Sequence, residues 1–142
     1  MQNETSYTPL RVLVIEDCPD TATTMAMLLR LWGHDVQVAA DGPDGLAIAR
    51  SYQPDIVLLD IGLPHMDGYQ VACRLREQVG LHHAVLVSVS GYAEERDRRR
   101  SWEAGCDSHL IKPVEPAMLR RLLNMWREWV RERSAEPVRG TT

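Results

Sequence analysis

The sequence predicts an α/β fold in which a doubly wound, five-stranded parallel sheet carries helices on both faces. Three observations lead to this prediction. Short apolar runs rich in β-branched residues recur five times, and such runs are typical of strands buried on both faces of a parallel sheet. The segments between the runs are long enough for a helix and two loops. Turn residues such as Gly, Pro and Asp lie where this alternation needs them.

Each strand in this scheme is followed by a helical segment. We expect the strands to end near Ile15, Ala40, Leu59, Val89 and Ile111. The best-formed helix is the last, from about Glu115 to Arg133, where apolar residues repeat at helical intervals. The weakest is segment 94–104, which is mostly charged and is expected to pack loosely. For five strands the flavodoxin-like (βα)5 order 2-1-3-4-5 is favoured, which makes strands 1 and 3 neighbours.

Length and composition favour one domain. The chain has 142 residues, of which 44% are hydrophobic and 25% are charged. We expect a domain over residues 9–133, a disordered N-terminus over 1–8 and a disordered tail over 134–142, because both ends are polar and lack periodicity. The net charge of -4 argues against direct nucleic-acid binding, and no apolar stretch is long enough to span a membrane. A cytoplasmic location is therefore expected.

The three cysteines do not predict a metal site or a disulfide framework. Cys18, Cys73 and Cys106 are widely separated and lack metal-ligand spacing, which favours free thiols in a reducing compartment. We expect them to fill the core or its margin. Cys18 follows two acids, and we expect these oxygen-rich surroundings to raise the pKa of its thiol and to disfavour a redox role.

Polar side chains follow the apolar runs at the points where the strands are predicted to end. Glu16 and Asp17 come directly after the first run, and Asp60 comes after the third. Ser90 closes the fourth run, and the single lysine of the chain, Lys112, closes the fifth. In open α/β sheets, ligands bind at the carboxyl ends of the strands, where the strand order reverses. These side chains are therefore expected to share one pocket.

Crowded carboxylates repel one another unless a cation compensates their charge. Oxygen-only ligands suit Mg²⁺, whereas zinc is disfavoured because no His or Cys accompanies the acids. A phosphoryl group on one acid would meet metal, ammonium and hydroxyl together, which predicts phosphoryl transfer. Asp60 is the best acceptor because it stands alone, whereas Glu16 and Asp17 look like a metal pair. Taken singly, each residue has an ordinary alternative, such as a helix cap for an acid or solvent exposure for Lys112.

Four blocks of this sequence resemble the receiver domain of two-component response regulators, over about Leu10 to Val130. The blocks are Val-Leu-Val-Ile-Glu16-Asp17, Ile-Val-Leu-Leu-Asp60-Ile-Gly-Leu-Pro64-His-Met-Asp67-Gly68, Val-Ser-Val-Ser90-Gly91 and Leu-Ile-Lys112-Pro113. The resemblance implies that Asp60 is the phosphoacceptor. It implies that Glu16, Asp17 and Asp60 hold Mg²⁺, with Glu16 acting through water, and that the main-chain carbonyl of Gly62 is a further ligand.

The same resemblance implies roles for residues around the acceptor. Ser90 takes the position of the switch hydroxyl, and Lys112 contacts the phosphoryl group through its ammonium. The peptide bond between Lys112 and Pro113 is expected to be cis. Gly62, Gly91 and Tyr92 are expected to modulate the lifetime of the phosphoryl group, and Tyr92 is the candidate shield against the attacking water.

Two features depart from the family pattern. His109 stands where the family usually has Tyr or Phe, the aromatic switch residue that moves inward on phosphorylation. Because imidazole is smaller, polar and titrates near neutral pH, altered or pH-sensitive coupling is expected. Receivers of hybrid sensor kinases often resemble this variant. No output domain follows the last helix, so we expect either a single-domain regulator or a receiver from a larger protein.

The function implied is that of a phosphorelay module, not an enzyme beyond its own phosphotransfer and dephosphorylation. A histidine kinase or a histidine phosphotransfer protein is expected to donate the phosphoryl group. Phosphorylation is then expected to change the surface of helix 4, strand 5 and helix 5, and with it the binding of a downstream protein or of a second copy in a homodimer. Two alternatives stay open. One is a phosphate-independent interaction module, and the other is an aspartate-nucleophile phosphatase of the haloacid dehalogenase kind, which would need an acid where Gly62 stands.

Overall fold

The computed structural model describes residues 9–91 and 94–135, in which five parallel strands form one sheet in the order β2-β1-β3-β4-β5. The strands are β1 (Arg11–Ile15), β2 (Asp35–Ala39), β3 (Ile56–Asp60), β4 (Val85–Ser90) and β5 (Ser108–Ile111). The helices are α1 (Pro19–Leu31), α2 (Gly42–Tyr52), α3 (Gly68–Glu77), α4 (Glu95–Glu103) and α5 (Pro116–Ala135). The predicted fold class and strand order are confirmed, and every strand ends within one residue of the expected position.

Alternate side chains along the strands fill two separate cores, as the two-residue period of a strand requires. Val12 and Val14 of β1 belong to the core that α1 and α5 cover, and the most deeply buried side chains of α5 there are Leu119 and Leu123. Leu13 and Ile15 of β1 belong to the core on the other face, which α2 and α3 cover. The central strands β1, β3 and β4 are therefore buried on both faces.

The two ends of the chain are only partly covered by the described residues. α5 ends at Ala135, two residues beyond the predicted end of the last helix. The residues expected to be disordered at 1–8 and 136–142 lie outside the described residues. Within the described ranges, no helix is both long enough and apolar enough to cross a bilayer.

The junction between β3 and α3 fixes the position of Asp60. Asp67 caps α3 by accepting a hydrogen bond from the backbone N–H of Gln70, and the Gln70 side chain accepts one from the backbone N–H of Asp67. Gly68 starts the helix so close to β3 that a Cβ atom there would lie 2.7 Å from the Asp60 carbonyl oxygen. Only glycine permits this approach, so Gly68 sets the distance between α3 and the end of β3.

Candidate functional site

Three carboxylates and one ammonium group meet at the carboxyl ends of β1, β3 and β5. The Nζ atom of Lys112 lies 3.3 Å from Oδ1 of Asp60 and 3.6 Å from Oε1 of Glu16. One carboxylate oxygen each of Glu16, Asp17 and Asp60 lies within 4.8 Å of the others. The strand order explains this convergence, because β1 and β3 are neighbours at the centre of the sheet. Residues from three distant segments of the sequence thus meet at one point.

Two of the three acids are buried, and backbone groups hold them in place. Glu16 is 3% exposed and Asp60 is 5% exposed, whereas Asp17 faces solvent. The backbone N–H of Gly62 donates to Oδ1 of Asp60 at 3.1 Å, and the backbone N–H of Cys18 donates to Oε2 of Glu16 at 3.1 Å. These contacts orient both carboxylates before any ligand binds.

Burial and charge act together on the groups of this site. Burial raises the pKa of Glu16, and the neighbouring charge of Asp60 raises it further against the effect of Lys112. For Lys112, burial alone would lower the pKa, but the carboxylates of Asp60 and Glu16 outweigh that effect and raise it. The ammonium group is therefore charged at neutral pH. One lysine faces two buried acids and a third exposed one, which leaves an excess of negative charge.

The donor set fits a hard divalent cation. All three clustered acids offer oxygen, and Mg²⁺ binds through one or two carboxylates while keeping several waters. The exposed carboxylate of Asp17 leaves one side of the cluster open to water. Burial and the charge of Asp60 raise the pKa of Glu16 although the Cys18 backbone N–H and Lys112 act against them, and a bound cation would favour the charged form further.

Of the remaining predicted residues, Ser90, Gly62 and Gly91 lie at or just after the carboxyl ends of β4 and β3. Ser90 is buried at the end of β4, and its carbonyl oxygen accepts a hydrogen bond from the backbone N–H of Lys112 at 2.8 Å. Gly62 and Gly91 are exposed in the loops after β3 and β4, and Tyr92 lies outside the described residues. The Lys112–Pro113 peptide bond is cis, as the resemblance implies.

His109 lies on β5, and its side chain reaches β4. Its ring is half-buried, and Nδ1 lies 2.7 Å from the hydroxyl oxygen of Ser88. That hydroxyl also contacts the hydroxyl of Ser101 in α4. Sequence reasoning singled out His109 but missed both serines. In the sequence Ser88 is one polar residue inside an apolar run, and Ser101 lies among charged residues, so neither carries a recognisable signal.

The expectation for Cys18 was wrong. The thiol is exposed, and hydrogen bonding to the Thr21 side chain and then to the Thr21 backbone lowers its pKa, although the Glu16 charge acts in the opposite direction. The physical reason is its place at the N-cap of α1, next to the hydroxyl group and then the backbone N–H of Thr21, which favour the thiolate. Of the other two cysteines, Cys106 is buried and Cys73 is half-buried, as expected for core residues.

A cleft of about 680 Å³ opens next to the acid cluster, between α1 and the N-terminus of α5. Lys112 lines its inner end, and its walls include Met25, Leu28 and Leu119. Asp20 and Thr21 lie at its polar margin. An apolar surface therefore adjoins the charged site directly.

Comparison with known proteins identifies the family. The family model described as the response regulator receiver domain matches residues 12–124. The chain belongs to this family. Receiver domains are signalling modules rather than classical enzymes, and they interact with histidine kinases and downstream effectors.

Two relatives illustrate how widely this receiver domain is used. The chain is 33% identical over 105 residues to the DNA-binding dual master transcriptional regulator RpaA of Synechocystis, covering 74% of this chain and 44% of RpaA. It is 31% identical over 114 residues to Protein PilH of Pseudomonas aeruginosa, covering 80% of this chain and 94% of PilH. The chain thus spans less than half of one relative and nearly all of another.

One solved structure bears on the metal. The receiver domain of the sensor histidine kinase PA1611 from Pseudomonas aeruginosa is 30% identical, with a TM-score of 0.77, and the match covers 85% of this chain and 99% of that one. Its structure contains a magnesium ion coordinated in the active-site cleft. Receiver domains bind Mg²⁺ in this cleft, and the acid cluster of this chain is compatible with such an ion.

Proposed function

We propose that this receiver domain accepts a phosphoryl group on Asp60 from the phosphohistidine of a histidine kinase or of a histidine phosphotransfer protein. The observation that carries the proposal is the position of the Lys112 ammonium, 3.3 Å from Asp60 and 3.6 Å from Glu16. A carboxylate held between a cation and a second acid is oriented to attack, and its product is stabilised by the same cation.

The proposed step is a direct displacement at phosphorus. A carboxylate oxygen of Asp60 forms the new P–O bond while the P–N bond to the donor histidine breaks, and the electron pair of that bond stays on the departing imidazole. Lys112 neutralises charge on the phosphoryl oxygens, and the Ser90 hydroxyl donates to one of them. Phosphoryl transfer depends mainly on positioning and charge compensation, which are the properties that this site provides.

The metal ligands in this proposal are Glu16, Asp17 and Asp60, with the carbonyl of Gly62 as a further ligand and Glu16 acting through water. When bound, Mg²⁺ supplies the positive charge that lets a phosphoryl dianion approach three acids. Among these acids, Asp17 is the exposed one, so it offers the first contact to an entering ion.

The phosphorylated state is proposed to change the surface formed by α4, β5 and α5, and with it the binding of a downstream protein or of a second copy. Two observations support this choice of surface. α4 is mostly exposed, and β5 is an edge strand that ends one residue before Lys112. Ser90 and His109 are the proposed switch residues, and Gly62, Gly91 and Tyr92 the proposed modulators of phosphoryl lifetime.

The donor protein is proposed to dock at the cleft between α1 and α5. Its apolar walls accept a helix of the partner, and its inner end reaches Lys112. Docking there would bring a histidine on that helix close to Asp60 without a large rearrangement of the receiver.

Fluorine-19 NMR with beryllofluoride, which mimics a phosphoryl group, tests the proposal. We expect bound fluorine resonances with wild-type protein only when Mg²⁺ is present, and none with Asp60→Asn. The matched control is Asp55→Asn, which lies just before the start of the same strand and should bind beryllofluoride as wild type does. Binding that persists in Asp60→Asn would overturn the proposed acceptor. Sustained hydrolysis of p-nitrophenyl phosphate would favour the phosphatase alternative, and partner binding that ignores beryllofluoride would favour the phosphate-independent one.

A further inference from the structure

The attachment of α4 to the sheet depends on a hydroxyl group rather than on an apolar side chain. Within α4, all of whose residues belong to the described part of the chain, Ser101 is the one buried residue. It is 3% exposed, and its hydroxyl donates to the Ser88 hydroxyl at 2.9 Å. Helices of this kind of fold ordinarily bury an apolar stripe, so a buried serine at this place is unusual.

Ser88 links this hydroxyl to His109. Ser88 is fully buried in β4, and it lies directly opposite His109 in the parallel register of β4 and β5. Its hydroxyl oxygen lies 2.7 Å from Nδ1 of His109 and 3.4 Å from the carbonyl oxygen of Ser108. Because Ser88 accepts from Ser101, its own proton can go to one of two acceptors, the carbonyl oxygen of Ser108 or, when Nδ1 carries no proton, the closer Nδ1 of His109. The His109 tautomer that suits this chain of hydrogen bonds carries its proton on Nε2.

We propose that Ser88 and Ser101 are positioning residues that couple His109 to α4. The inference rests on the proposed function, because the switching of His109 belongs to that function. When the imidazole leaves its place, Ser88 loses its close acceptor and turns toward the carbonyl of Ser108. The hydroxyl of Ser101 then loses the geometry of its hydrogen bond, and α4 is released from β4.

A second attachment of α4 limits the motion that follows. The Arg100 guanidinium stacks over the Tyr69 ring at 4.2 Å, and the Tyr69 hydroxyl donates to the carbonyl of Asp97 at 3.4 Å. These interactions join α4 to α3. Because they persist when the hydrogen bond between Ser101 and Ser88 breaks, α4 pivots about its α3 side rather than detaching.

Amide hydrogen exchange of α4, measured with and without beryllofluoride and Mg²⁺, tests the coupling. In the free wild-type protein, the chain of hydrogen bonds from Ser101 through Ser88 to His109 (the serine relay) should slow hydrogen exchange of the α4 amides. Beryllofluoride should speed that exchange. Ser101→Ala should speed exchange of the free protein by about five-fold, the effect of one lost hydrogen bond, and should abolish most of the further change on adding beryllofluoride. Ser88→Ala should do the same, and the double variant should add little because both residues belong to one chain of hydrogen bonds.

The matched control is Ser51→Ala in α2, whose hydroxyl bonds to the Ile48 carbonyl within the same helix. It should leave α4 exchange unchanged in both states. A nitrogen-15 spectrum of the His109 imidazole gives a readout that simple packing would not move. Nδ1 should show acceptor character in wild type and should lose it in Ser88→Ala.

The outcomes separate this inference from the function on which it rests. If the fluorine-19 resonances of bound beryllofluoride are absent in wild type, the proposed function fails. If those resonances are present in every variant, and beryllofluoride changes the amide exchange of α4 in Ser101→Ala as it does in wild type, the proposed function stands. The proposed coupling of His109 to α4 through Ser88 and Ser101 is then wrong.

Discussion

Arg76 and Lys112 stand at opposite ends of the sheet and show two different uses of a cation. Arg76 donates five hydrogen bonds near the amino ends of β4 and β5, to the carbonyl oxygens of Leu81, Ala84 and Gly105 and to the carboxylate of Asp107. Every N–H of its guanidinium is used. Lys112, in contrast, faces two buried acids with one charge. One end of the sheet is thus electrostatically satisfied, and the other keeps an excess of negative charge.

The comparison indicates that the Arg76 end of the sheet stabilises the fold, whereas the Lys112 end lowers its stability. Asp107 extends the satisfied network by accepting a hydrogen bond from the backbone N–H of Leu86, so the loops at that end are joined through one arginine. At the acid end, burial and the charge of Asp60 raise the pKa of Glu16, so this carboxylate is less stable in its charged form than it would be in water. Natural proteins commonly accept such costs at functional sites.

The largest expected effect is at the satisfied end. Arg76→Met removes all five hydrogen bonds and leaves several carbonyl groups without their partner, so the free energy of unfolding should fall by about 3 kcal/mol or more. Urea denaturation measures this change. The control Arg74→Met, on the exposed side of the same helix, should change stability by less than about 0.5 kcal/mol. Equal effects of the two substitutions would show that the network contributes nothing specific.

The next effect concerns pH at the same end of the sheet. His34 is buried, and its Nδ1 accepts a hydrogen bond from the backbone N–H of Leu10. Burial, helped by the charge of Arg127, lowers its pKa from 6.5 to about 4. Between about pH 4 and pH 6.5, His34 is therefore protonated in the unfolded chain but not in the folded chain. Stability should be complete above pH 6.5 and fall as the pH drops, by about 3 kcal/mol at pH 4.

This loss is isolated by comparing wild type with His34→Gln, which keeps an acceptor near Leu10 and does not titrate. The difference in unfolding free energy between the two proteins should change as the pH is lowered from neutral to about 4. His82→Gln, at an exposed position, should follow the wild-type curve. A His34→Gln curve parallel to wild type would mean that His34 contributes nothing to the pH dependence.

The smallest of the three effects has the opposite sign and belongs to the acid end. Asp60→Asn removes one of the crowded charges, so without divalent cations the variant should be more stable than wild type by about 1–2 kcal/mol at neutral pH. Glu77→Gln removes an exposed acid of α3 and should not stabilise the protein. If Asp60→Asn lowers stability instead, the acid end is not under electrostatic strain.

Magnesium should reduce this difference in stability between wild type and Asp60→Asn. At a concentration about ten times its dissociation constant, Mg²⁺ should stabilise wild type by about 1.4 kcal/mol, and Asp60→Asn should gain less because one ligand is lost. Thermal unfolding with and without the ion measures both shifts. A gain of equal size in the two proteins would place the ion elsewhere.

The fold and the acid cluster were predictable because each depends on a pattern that is local in the sequence. A buried parallel strand reads as an apolar run, and its carboxyl end is the residue that follows, so Asp60 and Lys112 are found without knowing their contacts. The strand order then follows from rules of topology, and the meeting of β1 and β3 follows from the order.

The contacts that hold the molecule together were not predictable in this way. Arg76 reads as one more exposed arginine of an amphipathic helix, and its partners lie in loops whose shape the sequence does not specify. The bond between Ser88 and Ser101 joins residues on different elements, and its existence depends on how α4 packs against β4. The predicted rise in the pKa of the Cys18 thiol was wrong for a related reason. The hydrogen bonds of Cys18 with Thr21 depend on the first turn of α1 rather than on the neighbouring acids.

The most direct test of the account is to locate the phosphoryl group itself. After reaction with acetyl phosphate in the presence of Mg²⁺, intact-mass measurement and peptide mapping should find one phosphoryl group per chain, attached to Asp60, and none when Mg²⁺ is chelated or when Asp60 is replaced by Asn. A phosphoryl group on another residue, or undiminished labelling of Asp60→Asn, would contradict the claim that these strand ends form a site for phosphoryl transfer.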